Sequence, residues 1–501
     1  MAHGPTPGGG APAGQIDRNY RAGRVIWLSI VAAMGGFLFG FDSAVVNGAV
    51  SAIQNKFELS SNFWNGIGIV VAIALLGSAV GAWFAGSLAS KFGRKRVMVV
   101  AAVLFIIAAL GQAFPFDVWD LMFWRFIGGA GIGIASVIAP MYIAEIAPAQ
   151  MRGRLGSLQQ LAIVTGIFAT AVSNYVILQL ATNNGTVTEG AVTATGEPIY
   201  ARNEWLLGLE AWQWMFLIMV IPAIVYGILA LTIPESPRYL VSIGKSKEAE
   251  EVLETVFTGS QSEKVAEIEQ SLAGETKPKF SDLKGASLGL KPIVWVGILL
   301  SIFQQFVGIN VIFYYSNSIW TAAGFSEDQA FLVTLITNTT NVVVTFIAIA
   351  LVDKIGRKPL LLIGSAGMAV SLLIMAIVFG TAPIVDGQPV LEGLAKPGAV
   401  ISANAYVVFF GVSWGPVVWV LLGEMFPNKI RAAALAVAAA AQWLANFVVT
   451  ALWPQMASFS LAFGYGVFTV MAIISFFFVL KFVKETKGKT LESMAESMAA
   501  D

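Results

Sequence analysis

The chain has 501 residues, 57% of them hydrophobic and only 12% charged, and its 30 basic and 30 acidic side chains cancel. A soluble domain carries about 25% charged residues, so this composition describes an integral membrane protein, and a net charge of zero leaves no basic footprint for nucleic acid. There is no cysteine for disulfide or thiol chemistry, and the single histidine, His3, lies in a Gly/Pro/Ala-rich opening, so the sequence offers no metal centre, no histidine-dependent catalysis and no cofactor motif.

Residues 1–24 read as a tail, of which 1–15 have a disordered composition, and no apolar stretch that would serve as a cleavable signal precedes the first span. Apolar stretches long enough to cross a bilayer follow at 25–50, 65–89, 96–114, 119–142, 155–179 and 212–233. Six more fall at 291–320, 328–352, 359–382, 399–423, 432–454 and 462–483. The expected class is therefore an all-α membrane protein of twelve transmembrane helices. With both termini in the cytoplasm, only Lys56, Arg202 and Lys396 fall outside and Arg125 lies within a span. The other 26 of the 30 basic residues are then cytoplasmic, as the positive-inside rule requires.

Two charges lie deep in the first group of spans, Asp42 and Arg125. An unpaired ion there costs several kcal/mol, so the two are expected to pair, either as a static bridge or as a proton site that releases Arg125 when Asp42 is protonated. Between 181 and 210 the chain is polar and reads as an outer loop, in which the Asn184-Gly185-Thr186 sequon reads as chance. The segment 234–290 opens with Ser236 as a helix cap and Pro237 as a first helical residue. Ala249, Val252, Leu253 and Val256, then Val265, Ile268 and Leu272, recur at helical spacing, which predicts short amphipathic helices under the bundle.

Span seven carries Gln304, Gln305 and Asn310. On a straight helix, at about 100° per residue, Asn310 points well away from Gln305. The amides converge only if the helix breaks, and Gly308 is the residue that allows it. Neutral amides meeting at a broken helix suit a small polar solute; amides that merely join one helix to another are the plainer reading.

The chain also repeats itself. Ser90-Lys91-Phe92-Gly93-Arg94-Lys95 after span two is matched by Asp353-Lys354-Ile355-Gly356-Arg357-Lys358 after span eight. Glu145 and Arg152 stand seven apart, as do Glu424 and Arg431, and Glu235 is echoed by Glu485. Two six-helix halves, 25–233 and 291–483, thus repeat in the same sense around the linker 234–290, followed by a tail at 484–501.

With these motifs the chain resembles, from about residue 25 to 492, the sugar porter family of the major facilitator superfamily. Further marks are Pro140-Met141-Tyr142-Ile143-Ala144-Glu145 with Arg152-Gly153-Arg154, Pro234-Glu235-Ser236-Pro237-Arg238, Gly415-Pro416-x-x-Trp419, and Glu485-Thr486-Lys487-Gly488. It is similar both to bacterial proton-coupled sugar symporters and to animal glucose facilitators. The resemblance implies a sugar site of Gln160, Gln304, Gln305, Asn310, Asn341, Trp419 and Gln442, lined by Phe39, Tyr315 and Trp443. Amides both donate and accept without adding a charge, as sugar hydroxyls require. It implies a proton site at Asp42 and Arg125, since the symporters have an acid where the facilitators have an amide. It implies a cytoplasmic gate of Arg94, Glu145, Arg152, Arg154 and Glu235 in one half and Asp353, Arg357, Glu424, Arg431 and Glu485 in the other; basic residues placed only to set topology are the plainer reading.

Two departures stand out. Val418 replaces a second proline before Trp419, which bears on whether span ten breaks, and Ser90 replaces an acid or amide. The expected function is import of a monosaccharide, a hexose such as glucose or else a pentose or inositol, by proton symport and alternating access. A proton-independent facilitator and a non-transporting sugar sensor are the alternatives. The expected partners are the sugar, the proton and the lipid of the cell membrane, and family precedent implies a monomer.

Overall fold

The computed structural model describes residues 20–61, 66–193, 198–273, 280–385, 388–427 and 430–486. Among these, the side chains of 149–154, 156–157, 271, 273, 280, 286–287, 349, 352–353, 388 and 431–432 lie outside the description. Among the described residues, twelve helices are long and apolar enough to cross a membrane: Ala22–Gly48, Ile67–Phe92, Arg94–Ala113, Val118–Ile146, Leu158–Asn184, Ala211–Thr232, Pro292–Ala322, Glu327–Ala348, Arg357–Thr381, Ala395–Met425, Ala433–Phe459 and Leu461–Phe482. They are called spans 1 to 12 below. Each falls on one of the twelve expected stretches.

Glycine decides how tightly these helices approach. A Cβ on Gly77 or Gly81 of span 2 would lie 2.1 or 2.2 Å from a carbonyl oxygen of span 4, and one on Gly129 or Gly133 of span 4 would lie 1.9 or 2.1 Å from a carbonyl oxygen of span 2. Spans 1 and 5 interlock likewise through Gly40 and Gly166. Backbone thus rests on backbone, the packing that small residues permit where lipid supplies no hydrophobic drive.

The repeat appears as two matched turns. Gly93 (φ +90°) separates spans 2 and 3, and Gly356 (φ +106°) separates spans 8 and 9. Between spans 6 and 7 run the helices Pro237–Ser242, Ser246–Val256 and Gln261–Ala273, the first capped by Ser236 Oγ, which accepts from the Tyr239 N–H. The apolar Ala249, Leu253 and Val256 are buried, as the periodicity requires.

Span 7 is broken at Gly308, whose φ of +88° is left-handed, into Pro292–Phe306 and Ile309–Ala322. Span 10 breaks as well, at Ser413, into Ala395–Val412 and Trp414–Met425. The missing second proline therefore does not keep span 10 straight. Pro416 sits in the first turn of the new helix, where no intrahelical N–H is lost.

Where the first six and last six spans meet, one end of the bundle is sewn together. The Asn317 N–H donates to Asn47 Oδ1 at 3.0 Å and Asn317 Nδ2 to the Asn47 carbonyl at 3.3 Å. The Tyr200 N–H donates to Glu327, and Gln179 to Asp328. The polar segment after span 5 folds over this end in short turns, held by Glu210, which pairs with Lys56 and Arg202 and accepts from Trp212 Nε1. Burial pushes the Glu210 carboxyl up, but these hydrogen bonds and cations outweigh it and hold it below the usual range.

Candidate sugar site and proton site

A cavity of about 610 Å³ lies between the two groups of spans. It takes residues from spans 1, 2, 4, 5, 7, 8, 10 and 11, and its size suits a small organic solute. Of the ten residues expected there, nine line it: Phe39, Gln160, Gln304, Gln305, Asn310, Asn341, Trp419, Gln442 and Trp443.

The broken helix brings the amides together. Asn310 Nδ2 donates to Gln305 Oε1 across the Gly308 break. Gln304 Oε1 accepts from Gln442 Nε2 at 2.6 Å, while Gln304 Nε2 donates to the carbonyls of Trp414 (2.8 Å) and Gly415 (3.2 Å). Gln304 thereby ties the breaks of spans 7 and 10 to span 11. Those carbonyls belong to the first turn after Ser413, so the break in span 10 supplies acceptors as well as a bend. On the apolar side, Phe39 of span 1 meets Trp443 of span 11, ring centroids 5.8 Å apart.

Tyr315 is a correction. Its hydroxyl donates to the Thr450 carbonyl at 2.9 Å inside the protein, and the cavity is lined by Tyr314 instead. One residue is a rotation of about 100°, and the break at Gly308 sets the phase of everything after it. Gln159, Ser136 and Asn446 also line the cavity, unforeseen. The signal for Gln159 was its adjacency to Gln160.

The expected Asp42–Arg125 ion pair is a second correction: among the described residues these two do not bridge. Both are buried, at 1% and 2% exposure. Arg125 donates instead to the carbonyls of Val70 (Nε, 2.9 Å) and Val71 (Nη2, 3.0 Å) of span 2 and to Gln112 Oε1 of span 3 (Nη1, 3.3 Å). Helical carbonyls have a second lone pair, and two of them with an amide satisfy a guanidinium without a carboxylate. Gln112 is the one amide in span 3, and that was its signal.

At the other end of the bundle the repeat becomes chemistry. Glu145 takes a two-pronged bridge from Arg94 (2.8 and 2.6 Å), and Glu424 takes the same from Arg357 (3.1 and 2.7 Å). Glu235 accepts the Arg94 N–H at 2.8 Å, and Glu485 accepts those of Arg357 and Lys358 at 3.1 and 3.0 Å. Each glutamate thus caps the positive start of a helix that a left-handed glycine has opened. Both bridges lie within one group of six spans, not across the two. The side chains of Arg152, Arg154, Asp353 and Arg431 lie outside the described residues.

A family profile described as "Sugar (and other) transporter" matches residues 28–498. The chain belongs to the sugar porter family of the major facilitator superfamily. This sugar porter is 52% identical to the glucose transport protein of Synechocystis sp. over 471 residues, covering 94% of this chain and 97% of the relative. It is 38% identical to the D-xylose-proton symporter of Escherichia coli (strain K12), covering 96% of each. Its fold matches the inward open conformation of the xylose transporter XylE from E. coli with a TM-score of 0.76 at 35% identity, over 94% of this chain and 99% of that one. It also matches XylE bound to 6-bromo-6-deoxy-D-glucose, with a TM-score of 0.72 at 35% identity over 96% and 100%. The protein is thus a multi-pass membrane sugar transporter and not an enzyme.

Proposed function

We propose that the protein imports a monosaccharide, a hexose such as glucose, by proton symport and alternating access. The observation that carries the sugar reading is the chain of neutral amides Asn310, Gln305, Gln304 and Gln442 around one cavity, beside the Phe39–Trp443 pair. Each amide offers donor and acceptor to a hydroxyl and none brings a charge that must be desolvated. The similarity to a glucose transport protein favours a hexose. Trp419, Gln160 and Asn341 complete the site.

Coupling is assigned to Asp42, a buried acid in the first span, with Arg125 as its alternate partner; the similarity to a proton symporter supports it. The halves 25–233 and 291–483 rock against each other as units, joined by the linker 234–290. The paired bridges at Glu145 and Glu424, with Glu235 and Glu485, hold the inner ends of each half in shape. Both termini lie in the cytoplasm of a cell whose plasma membrane holds the protein, because that orientation leaves 26 of 30 basic residues inside. The sewn end is then the outer one, and the structure is inward-facing. The detached Arg125 favours a second reading, facilitated diffusion with a structural arginine. Uptake of labelled glucose, xylose and inositol into proteoliposomes, with and without an imposed pH gradient, decides between them. Accumulation driven by the gradient supports symport; equilibration alone supports the facilitator.

A further inference from the structure

Gln112 ends span 3 in the protein interior, with no measurable exposure. A glutamine in apolar surroundings costs free energy unless both ends of its amide are used. One end is used: its Oε1 accepts from Arg125 Nη1 at 3.3 Å. The other end faces Asp42. The point where a Cβ on Gly128 would sit is 2.8 Å from Asp42 Oδ2 and 3.1 Å from Gln112 Nε2, so carboxylate and amide nitrogen border one small gap that any side chain at 128 would fill. Among the described residues neither Gln112 Nε2 nor Asp42 Oδ1 has a hydrogen-bond partner, so donor and acceptor are both vacant beside each other. The amide therefore stands between acid and guanidinium, oxygen toward the cation and nitrogen toward the anion. The charged and titratable groups that face the pair are Arg125 of span 4 and the phenols of Tyr314 and Tyr315 of span 7.

We propose that Gln112 is the positioning residue of the proton site, an amide that takes over the Asp42 carboxylate when Arg125 is drawn onto the carbonyls of span 2. The inference rests on Asp42 being the coupling acid. In this inward-facing arrangement a proton must leave Asp42 while its arginine partner is engaged elsewhere. The Gln112 N–H supplies the hydrogen bond that the new carboxylate needs, and Gln112 Oε1 keeps the guanidinium from swinging back. The Asp42 O–H bond breaks, its electron pair stays on Asp42, the proton passes to water, and no other bond is made or broken.

The test compares the parent, Gln112→Leu and Gln112→Glu in proteoliposomes. Labelled-sugar counterflow and gradient-driven accumulation are each measured from pH 5 to 8.5. Gln112→Leu removes both hydrogen bonds; Gln112→Glu is isosteric, keeps an acceptor for Arg125 and removes the donor to Asp42. Both variants should retain counterflow within about twofold of the parent. In Gln112→Glu, which keeps Arg125 engaged, accumulation should shift its pH midpoint upward by about one unit, because losing a hydrogen bond to the charged form favours the proton; Gln112→Leu, which also frees Arg125 to return to Asp42, should shift less. Gln112→Glu shifts further, by like-charge repulsion. Should Leu prevent folding, the Glu variant alone carries the result. Midpoints that superimpose on the parent's overturn the proposal and leave Gln112 as packing. A parent that never accumulates sugar overturns the coupling reading itself, and this one with it.

Discussion

Replacing Gln305 with alanine tests the sugar site with little collateral damage. Gln305 is 6% exposed, and its Oε1 is the acceptor for Asn310 Nδ2, while its own Nε2 reaches Gln304 only at 3.5 Å. Removing the side chain therefore frees one donor, on Asn310, beside a cavity of about 610 Å³ that water can enter. The folded protein should lose no more than about 1 kcal/mol. With sugar in place the same gap leaves a hydroxyl and Asn310 facing each other across missing atoms. Such a loss costs about 1–3 kcal/mol, or roughly 5- to 150-fold in Kd. Gln304→Ala is the contrasting variant, because it also strips the Trp414 and Gly415 carbonyls and Gln442 of their partner, and it should lower stability as well as binding. Sugar-dependent quenching of tryptophan fluorescence in detergent gives Kd, since Trp419 and Trp443 line the cavity, and a thermal melt gives stability. A Gln305→Ala protein that melts early yet binds sugar within twofold of the parent refutes the site and makes these amides helix glue.

Asp42→Asn keeps the volume and removes the charge, so counterflow should persist while accumulation against a gradient is lost; an Asn variant that still concentrates sugar under a pH gradient removes Asp42 from coupling. Glu424→Gln breaks the two-pronged bridge from Arg357 that this inward-facing arrangement contains and should shift the population away from that state by up to about 1 kcal/mol, roughly fivefold. The protein has no cysteine, so thiol labelling at Ser136→Cys in the cavity and Gln179→Cys on the outer seam reads that shift directly, and unchanged rates at both rule out a gating role. Glu210 in the fold holds its proton less tightly than in the unfolded chain, so its stabilisation is present above about pH 4 and is lost as pH falls through its lowered value. Glu210→Gln should therefore destabilise the protein at pH 7 and narrow its difference from the parent in acid, as a pair of thermal melts at pH 7 and pH 3.5 will show.

Much of this was legible in the residues. Apolar length places all twelve spans, and Gly308 announces the break that joins Asn310 to Gln305, because the angular spacing of the amides makes a straight helix useless to them. The repeat of Gly-Arg-Lys and of the paired glutamates anticipates the two matched turns. What could not be read was phase and partner. Tyr314 and Tyr315 are equivalent until the break fixes which of them faces the cavity. Arg125 has an obvious carboxylate in sequence, and only the packing of spans 2 and 3 reveals carbonyls and an amide in better position. The break at Ser413 comes three residues before Pro416, so that proline marks the neighbourhood of a break in span 10 but not the residue at which it falls.

The glycine contacts of spans 2 and 4 have a bearing on how this molecule tolerates change. A carbonyl oxygen about 2 Å from where a methyl would begin cannot be accommodated by a rotamer, so these positions admit no variation at all. The seam at Asn47, Asn317, Tyr200 and Glu327 is made of a few hydrogen bonds, which a changed side chain can lose or remake without a clash of backbone. In a saturation-mutagenesis library the two regions should therefore part company: the first goes silent at every substitution, while the second stays populated with altered transport rates. The raw material for evolving a new rate or direction of flux lies along the line where the two groups of spans meet, and little of it lies within either one.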